Sequence, residues 1–87
     1  MAMTPCETRY GILVRLAWEL RSHGIASYIL VPTEQTPLVS VHERCGHRNL
    51  VLVAQHGERW SVIWRGMELD AEDLRVVARS IARGAAA

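Results

Sequence analysis

The segment HERCGH, residues 42–47, holds the densest group of chemically capable side chains in the sequence. His42, Cys45 and His47 fall within six positions, and imidazole and thiolate groups are usual ligands of zinc. The spacing H-x2-C-x-H is not a common zinc pattern, and a closed structural site needs a further ligand. The sequence therefore favours a turn, and a metal site at these residues is the lowest-ranked hypothesis.

Catalysis by a cysteine–histidine pair requires a cleft that favours the thiolate, whereas Cys45 is expected at the tip of a hairpin. The sequence contains no glycine-rich phosphate loop and no nucleophile elbow. It also offers no pair of acids in contrasting environments. These observations favour a protein without enzymatic activity and indicate no cofactor.

The composition bounds the class of protein. A chain of 87 residues predicts one domain, 1–87, whose ends at 1–3 and 84–87 we expect to be frayed. A net charge of +1 gives no bulk attraction to nucleic acid, and the apolar runs are too short to span a membrane. Two cysteines without a secretory leader favour a cytoplasmic protein. Every basic residue is arginine, as in GC-rich genomes such as those of actinobacteria.

Helix signals mark both ends of the chain. Thr4, Pro5 and Glu7 form a capping-box start for a helix that ends near Gly24. Asp70 is predicted to cap a second helix that ends at Gly84. Between the helices, four runs have the composition of strands, namely IASYILV, LVSVHER, NLVLVAQ and RWSVIW. The sequence therefore predicts a two-layer α+β fold, a four-stranded, mostly antiparallel meander flanked by an N-terminal and a C-terminal helix (α-β-β-β-β-α).

Two-residue loops at Cys45–Gly46 and His56–Gly57 set the predicted strand register. They place His42 opposite Asn49 and Val51 opposite Val62. Side chains alternate across a strand, so the register also assigns the two faces of the sheet. We expect the helices to pack on the face that carries Val39, Val41, Leu50, Leu52, Ala54 and Ile63.

Two helices can cover only one face of such a sheet. The other face is therefore predicted to be an exposed apolar surface, formed by Leu38, Val51, Val53, Trp60, Val62 and Trp64. Exposed apolar patches often mark interfaces, and tryptophan is enriched there. The first hypothesis is a small non-catalytic interaction or accessory protein that forms a homodimer or docks a protein partner through this face. The other interpretation places Trp60 and Trp64 in the core.

The second helix carries Arg75, Arg79 and Arg83 at intervals of four residues. This stripe could follow a phosphate backbone, so nucleic-acid binding is the alternative function. A solvated helix face that complements the helix dipole, with Glu72 paired to Arg75, accounts for the same spacing.

Overall fold

The computed structural model describes residues 4–33 and 36–86. Its elements in chain order are α1 (Pro5–Ser22), β1 (Ser27–Leu30), β2 (Leu38–His42), β3 (Arg48–His56), β4 (Arg59–Trp64), β5 (Met67–Asp70) and α2 (Leu74–Ala86). The strands form one antiparallel sheet in the order β1-β2-β3-β4-β5. The predicted α+β fold with a helix at each end of an antiparallel meander is confirmed, with a fifth strand added. The predicted frayed residues 1–3 and 87, and loop residues 34–35, lie outside the described ranges.

The start of α1 follows the predicted capping signal. Thr4 is the N-cap with extended backbone, and its hydroxyl oxygen accepts a hydrogen bond from the Glu7 N–H at 3.2 Å. Gly24 follows the helix with a left-handed φ of 75°. The inward side of α1 buries Leu13, Leu16 and Leu20 completely. Neither helix in the described ranges is long and apolar enough to cross a membrane.

The fifth strand delays the start of α2. Arg65 and Gly66 both have positive φ, 50° and 74°, as a two-residue type I′ hairpin requires, and Met67 then pairs with Trp64. Asp70 lies in β5, and the predicted cap there was wrong. The cap side chain is that of Asp73, which accepts a hydrogen bond from the Val76 N–H at 3.3 Å. The run MELD was missed because its residues have low strand propensity.

Gly84 does not end α2, which continues to Ala86. The glycine lies against the Trp64 indole, and a Cβ at this position would overlap the ring atom Cη2. Ala85 is buried, and its carbonyl accepts a hydrogen bond from the Arg44 N–H at 2.7 Å. The predicted fraying of 84–86 was therefore wrong, because packing replaces the missing helix propensity of the glycine.

The loop between β2 and β3 is one residue longer than predicted. Gly46, with φ of 94°, donates its N–H to the Glu43 carbonyl at 3.0 Å, and the Glu43 N–H bonds the His47 carbonyl at 2.8 Å. The loop thus contains three residues, 44–46, with glycine at the left-handed position. His42 consequently lies opposite Arg48. A slip of one residue turns β3 over relative to β2, so the predicted faces were wrong.

The loop between β3 and β4 also differs from the prediction, without changing a face. It consists of Gly57 and Glu58, so that Val53 lies opposite Val62. This register differs by two residues from the predicted one, and a shift of two keeps each side chain on its side. β3 and β4 therefore turn over together relative to β2.

The two helices pack on the face of the sheet that carries the larger share of branched and aromatic side chains. This core face contains Val39, Val41, Val51, Val53, Val62 and Trp64, all buried. The opposite face carries Tyr28, Leu30, Leu38, Leu50, Leu52 and Ile63, whereas the buried residues of both helices cluster with the core face. We call it the open face.

Candidate functional site

The open face presents a continuous apolar surface. Leu30, Leu38, Leu52 and Ile63 lie side by side on four successive strands. Tyr28 and Leu50 lie one step along the same strands, with Ser40 between them. Tyr28, Leu30, Leu50 and Leu52 are between 40% and 59% exposed, whereas Leu38 and Ser40 are buried among them. Water therefore contacts several large apolar side chains on one face of the sheet, and such exposed apolar patches often mark an interaction site.

Charged side chains lie around this apolar surface. Arg48 lies at one end of β3, while Glu68 and Asp70 lie on the edge strand β5. His56, at the other end of β3, is 3.2 Å from Glu68, an ion pair when the imidazole is protonated. The rim thus contains both signs of charge: Arg48 at one end, Glu68 and Asp70 along β5, and Arg59 opposite His56 at the other end.

The predicted tryptophan face is in the core. Val51, Val53, Val62 and Trp64 are buried beneath the helices, so the prediction that they form an exposed surface was wrong. Of the six predicted interface residues, Leu38 alone lies on the open face, where Leu30 and Leu52 flank it. The cause is the three-residue loop at 44–46, which the sequence indicated only through Gly46.

Trp60 is half-buried at the end of the core face. The Arg9 guanidinium of α1 lies over its ring, 5.5 Å from the centroid. The same side chain donates from Nε to the Val53 carbonyl at 3.3 Å. Trp60 therefore holds α1 against β3 and β4, and its position favours a packing role.

The HERCGH segment is organised around Glu43. Its carboxylate accepts hydrogen bonds from the Arg65 guanidinium and the Asn49 amide, and from the Cys45 thiol at 3.4 Å. The Glu43 side chain is only 7% exposed. The hydrogen bond from Arg65 is the main cause that holds the pKa of Glu43 below its usual range. This carboxylate therefore joins the β2–β3 turn to the β4–β5 turn, and Arg65 also covers the Trp64 ring at 4.6 Å.

Glu43→Gln is expected to destabilise the protein at neutral pH, with the difference disappearing in acid. Because the pKa of Glu43 is lowered by folding, its contribution is present above the unfolded value of about 4.3 and is lost as pH falls through the folded value. Urea denaturation between about pH 7 and pH 2 measures this dependence.

Glu58→Gln is the matched control, because this glutamate is exposed in the β3–β4 loop. The acid loss of stability should become less steep in Glu43→Gln only. An equal change in both variants would contradict the role of Glu43.

The three predicted metal ligands are not gathered around a point. The His42 ring packs edge-on against Tyr28, with centroids 5.4 Å apart, on the open face. The Cys45 thiol bonds Glu43, and His47 is exposed beyond the end of β3. Within residues 4–33 and 36–86, no group of three or more His, Cys, Asp or Glu side chains could hold a metal ion.

The arginine stripe of α2 lies away from the core. Arg75, Arg79 and Arg83 are exposed, and none forms an ion pair with another described residue. The expected pair between Glu72 and Arg75 is absent from the described part of the chain. Nucleic-acid binding by the stripe stays a prediction.

A groove that the sequence did not indicate runs between α1 and β1. Its volume is about 420 Å³, and its lining includes Val14, Ala17, Trp18, Arg21, Ile25 and Ile29. Trp18 is 65% exposed, and the Arg21 guanidinium lies 5.8 Å from its ring centroid. The groove depends on β1 being the edge strand beside α1, and only the topology reveals this.

No protein-family model matches the chain, and no curated protein or solved structure matches it either.

Proposed function

We propose that this protein is a small non-catalytic interaction protein that forms a homodimer through the open face of its sheet. The observation that carries the proposal is the exposure of Leu30, Leu50 and Leu52 on a face of the sheet that neither helix covers. The buried Leu38 and the half-buried Ile63 lie beside them in the register. The proposal keeps the interaction function expected from the sequence and assigns it to the face opposite to the tryptophans.

The composition of the open face supports a second copy as the partner. A twofold interface buries the same patch on both subunits, so the patch must match itself. Apolar side chains fill the centre of this face and charges of both signs lie on its rim, at Arg48 and at Glu68 and Asp70. When two copies of the face pack about a twofold axis, the Arg48 part of one rim can meet the β5 part of the other, which permits contacts between opposite charges.

Leu52→Glu is expected to convert a dimer to a monomer. The substitution places a charge at the centre of the patch, where dimerisation would bury it without a partner. Light scattering coupled to size exclusion, over a range of protein concentrations, measures the mass. Circular dichroism establishes that the variant keeps its fold.

Val76→Glu is the matched control, because Val76 is an apolar residue 52% exposed on α2, outside the open face. It should leave the dimer intact. A wild-type protein that is monomeric at every concentration contradicts self-association, and a dimer that resists Leu52→Glu places the interface elsewhere.

The arginine stripe supports the second candidate, nucleic-acid binding, because Arg75, Arg79 and Arg83 are exposed and lack ion pairs within the described ranges. Retention on heparin distinguishes the two functions. A nucleic-acid binder loses retention steeply with salt, and Arg75→Ala combined with Arg79→Ala abolishes it. Retention that does not depend on these arginines excludes this route.

The proposed location is the cytoplasm. Cys6 and Cys45 are exposed and form no disulfide, as is usual for thiols in a reducing compartment. Thiol titration of protein purified from the native host without reductant tests this, and an oxidised pair would contradict it.

A further inference from the structure

The groove between α1 and β1 combines an apolar lining with an unpaired strand edge. β1 bonds only to β2, so its other edge has no strand partner among the described residues. The His42 N–H donates to the Ala26 carbonyl at 3.0 Å, so Ala26 lies at a hydrogen-bonded position of the ladder. Antiparallel ladders alternate, so Tyr28 and Leu30 also bond β2, while Ser27 and Ile29 direct their N–H and C=O groups outward.

Ser27 and Ile29, the residues whose backbone groups are directed outward, both line the groove. Tyr28 also lines the groove, although its side chain lies on the opposite face of the sheet from those of Ser27 and Ile29. The groove therefore follows the edge of β1. An edge strand beside an apolar groove suits an extended peptide, which adds a strand through its backbone and inserts alternate side chains.

One end of this groove is closed by the chain. Residues 23–26 connect the end of α1 to the start of β1, so a strand in the groove cannot continue past this connection. A peptide that runs antiparallel to β1 would reach the closed end with its C-terminus. Arg21 lines the groove at that end, and no described carboxylate pairs with it. Its charge is complementary to a terminal carboxylate and repels a terminal ammonium group.

We propose that the groove between α1 and β1 binds the extended C-terminal segment of a partner protein, which adds to β1 as an antiparallel strand and places its carboxylate at Arg21. Val14, Ala17 and Ile29 accept an apolar side chain of the segment, while Trp18 and Tyr28 border it. This site goes beyond the proposed dimer, since it lies at the edge of the sheet and binds a different partner.

Fluorescence anisotropy tests the proposal with a set of fluorescein-labelled hexapeptides that have free C-termini. Their last and antepenultimate residues vary over valine, isoleucine, leucine and phenylalanine. We expect saturable binding by at least one peptide, weakened roughly tenfold or more when its terminus is amidated. Absence of saturable binding across the set overturns the proposal, and equal binding of acid and amide overturns the role of the carboxylate.

Two variants test the location of the site. Arg21→Gln removes the charge, and Ser27→Pro removes an outward N–H without affecting the β1–β2 ladder. Each should weaken binding roughly tenfold, as loss of a charge-assisted or ladder hydrogen bond implies. Arg15→Gln, an exposed arginine of the same helix outside the groove lining, is the matched control and should bind as the wild type does. Unchanged binding by both groove variants overturns the site.

A second copy is the competing occupant of the edge of β1. If no peptide binds and Ser27→Pro converts a dimer to a monomer, the edge pairs with itself and the peptide proposal is overturned. Leu52→Glu separates this inference from the proposed dimer, because a monomeric Leu52→Glu protein should still bind peptide. Loss of the dimer in Leu52→Glu with peptide binding retained supports both proposals.

Discussion

Gly84→Ala is expected to lower the free energy of unfolding by about 1–3 kcal/mol, as overpacking does. In an open helix the same change would raise it by up to about 1 kcal/mol, since alanine has the higher helix propensity. The sign reverses here because the new methyl group would overlap Trp64 Cη2, and the other two nearest ring atoms also lie within 3.1 Å of its position. The indole is buried between sheet and helix, so it cannot move aside without displacing α2. Urea denaturation measures the change through the midpoint.

Gly11→Ala is the matched control. Gly11 lies inside α1, and nothing lies within 4 Å of a Cβ added there. This variant should gain about 0.5–1 kcal/mol. A gain in stability at both glycines would contradict the close contact between Gly84 and Trp64.

Trp64→Ala is expected to lower the free energy of unfolding by about 3–5 kcal/mol, the usual cost for a buried aromatic residue. Trp64 is 2% exposed and contacts α2 at Gly84, while its ring is covered by Arg65. Removing the ring leaves a cavity between β4 and α2 and removes the surface on which Arg65 lies. Thermal and urea unfolding followed by circular dichroism measure the loss. For a chain of this size, such a loss is a large part of the total stability.

Trp18→Ala is the control for this prediction, because Trp18 is 65% exposed on α1. Its change in stability should stay within about 0.5 kcal/mol, as for most surface substitutions. If Trp64→Ala instead kept full stability and abolished association, the tryptophan face would be the interface that the sequence first suggested.

Local signals in the sequence predicted the elements that depend on local chemistry. The start of α1 at Thr4 and Pro5 is encoded by capping, and the four main strands by their branched and aromatic residues. The strand at Met67–Asp70 and the continuation of α2 through Gly84 depend instead on contacts with β4. These tertiary contacts override the low strand propensity of Met67–Asp70 and the low helix propensity of Gly84. The local sequence at these positions does not indicate the contacts.

The sequence placed the candidate site on the wrong face because the loop between β2 and β3 is one residue longer than predicted. Valines and leucines occupy both faces of β3, so hydrophobicity did not distinguish the face under the helices from the open one. The inference that one apolar face stays uncovered needed only the number of helices. To identify the uncovered face, one must also know the length of the loop at 44–46. The turn interpretation of HERCGH needed only its glycine and the flanking strands, whereas the role of Glu43 required the position of Arg65.

The nearest-neighbour order of the sheet has a consequence for how the chain folds. Each strand pairs with the next one along the sequence, so every hairpin closes a short loop at low entropic cost. The packing of α1 against α2 is different, because it joins the two ends of the described chain. Contacts within the sheet are therefore between neighbours in sequence, which favours rapid folding. The entropic cost of long-range closure falls on the packing of the terminal helices against each other and on the packing of α1 against β3.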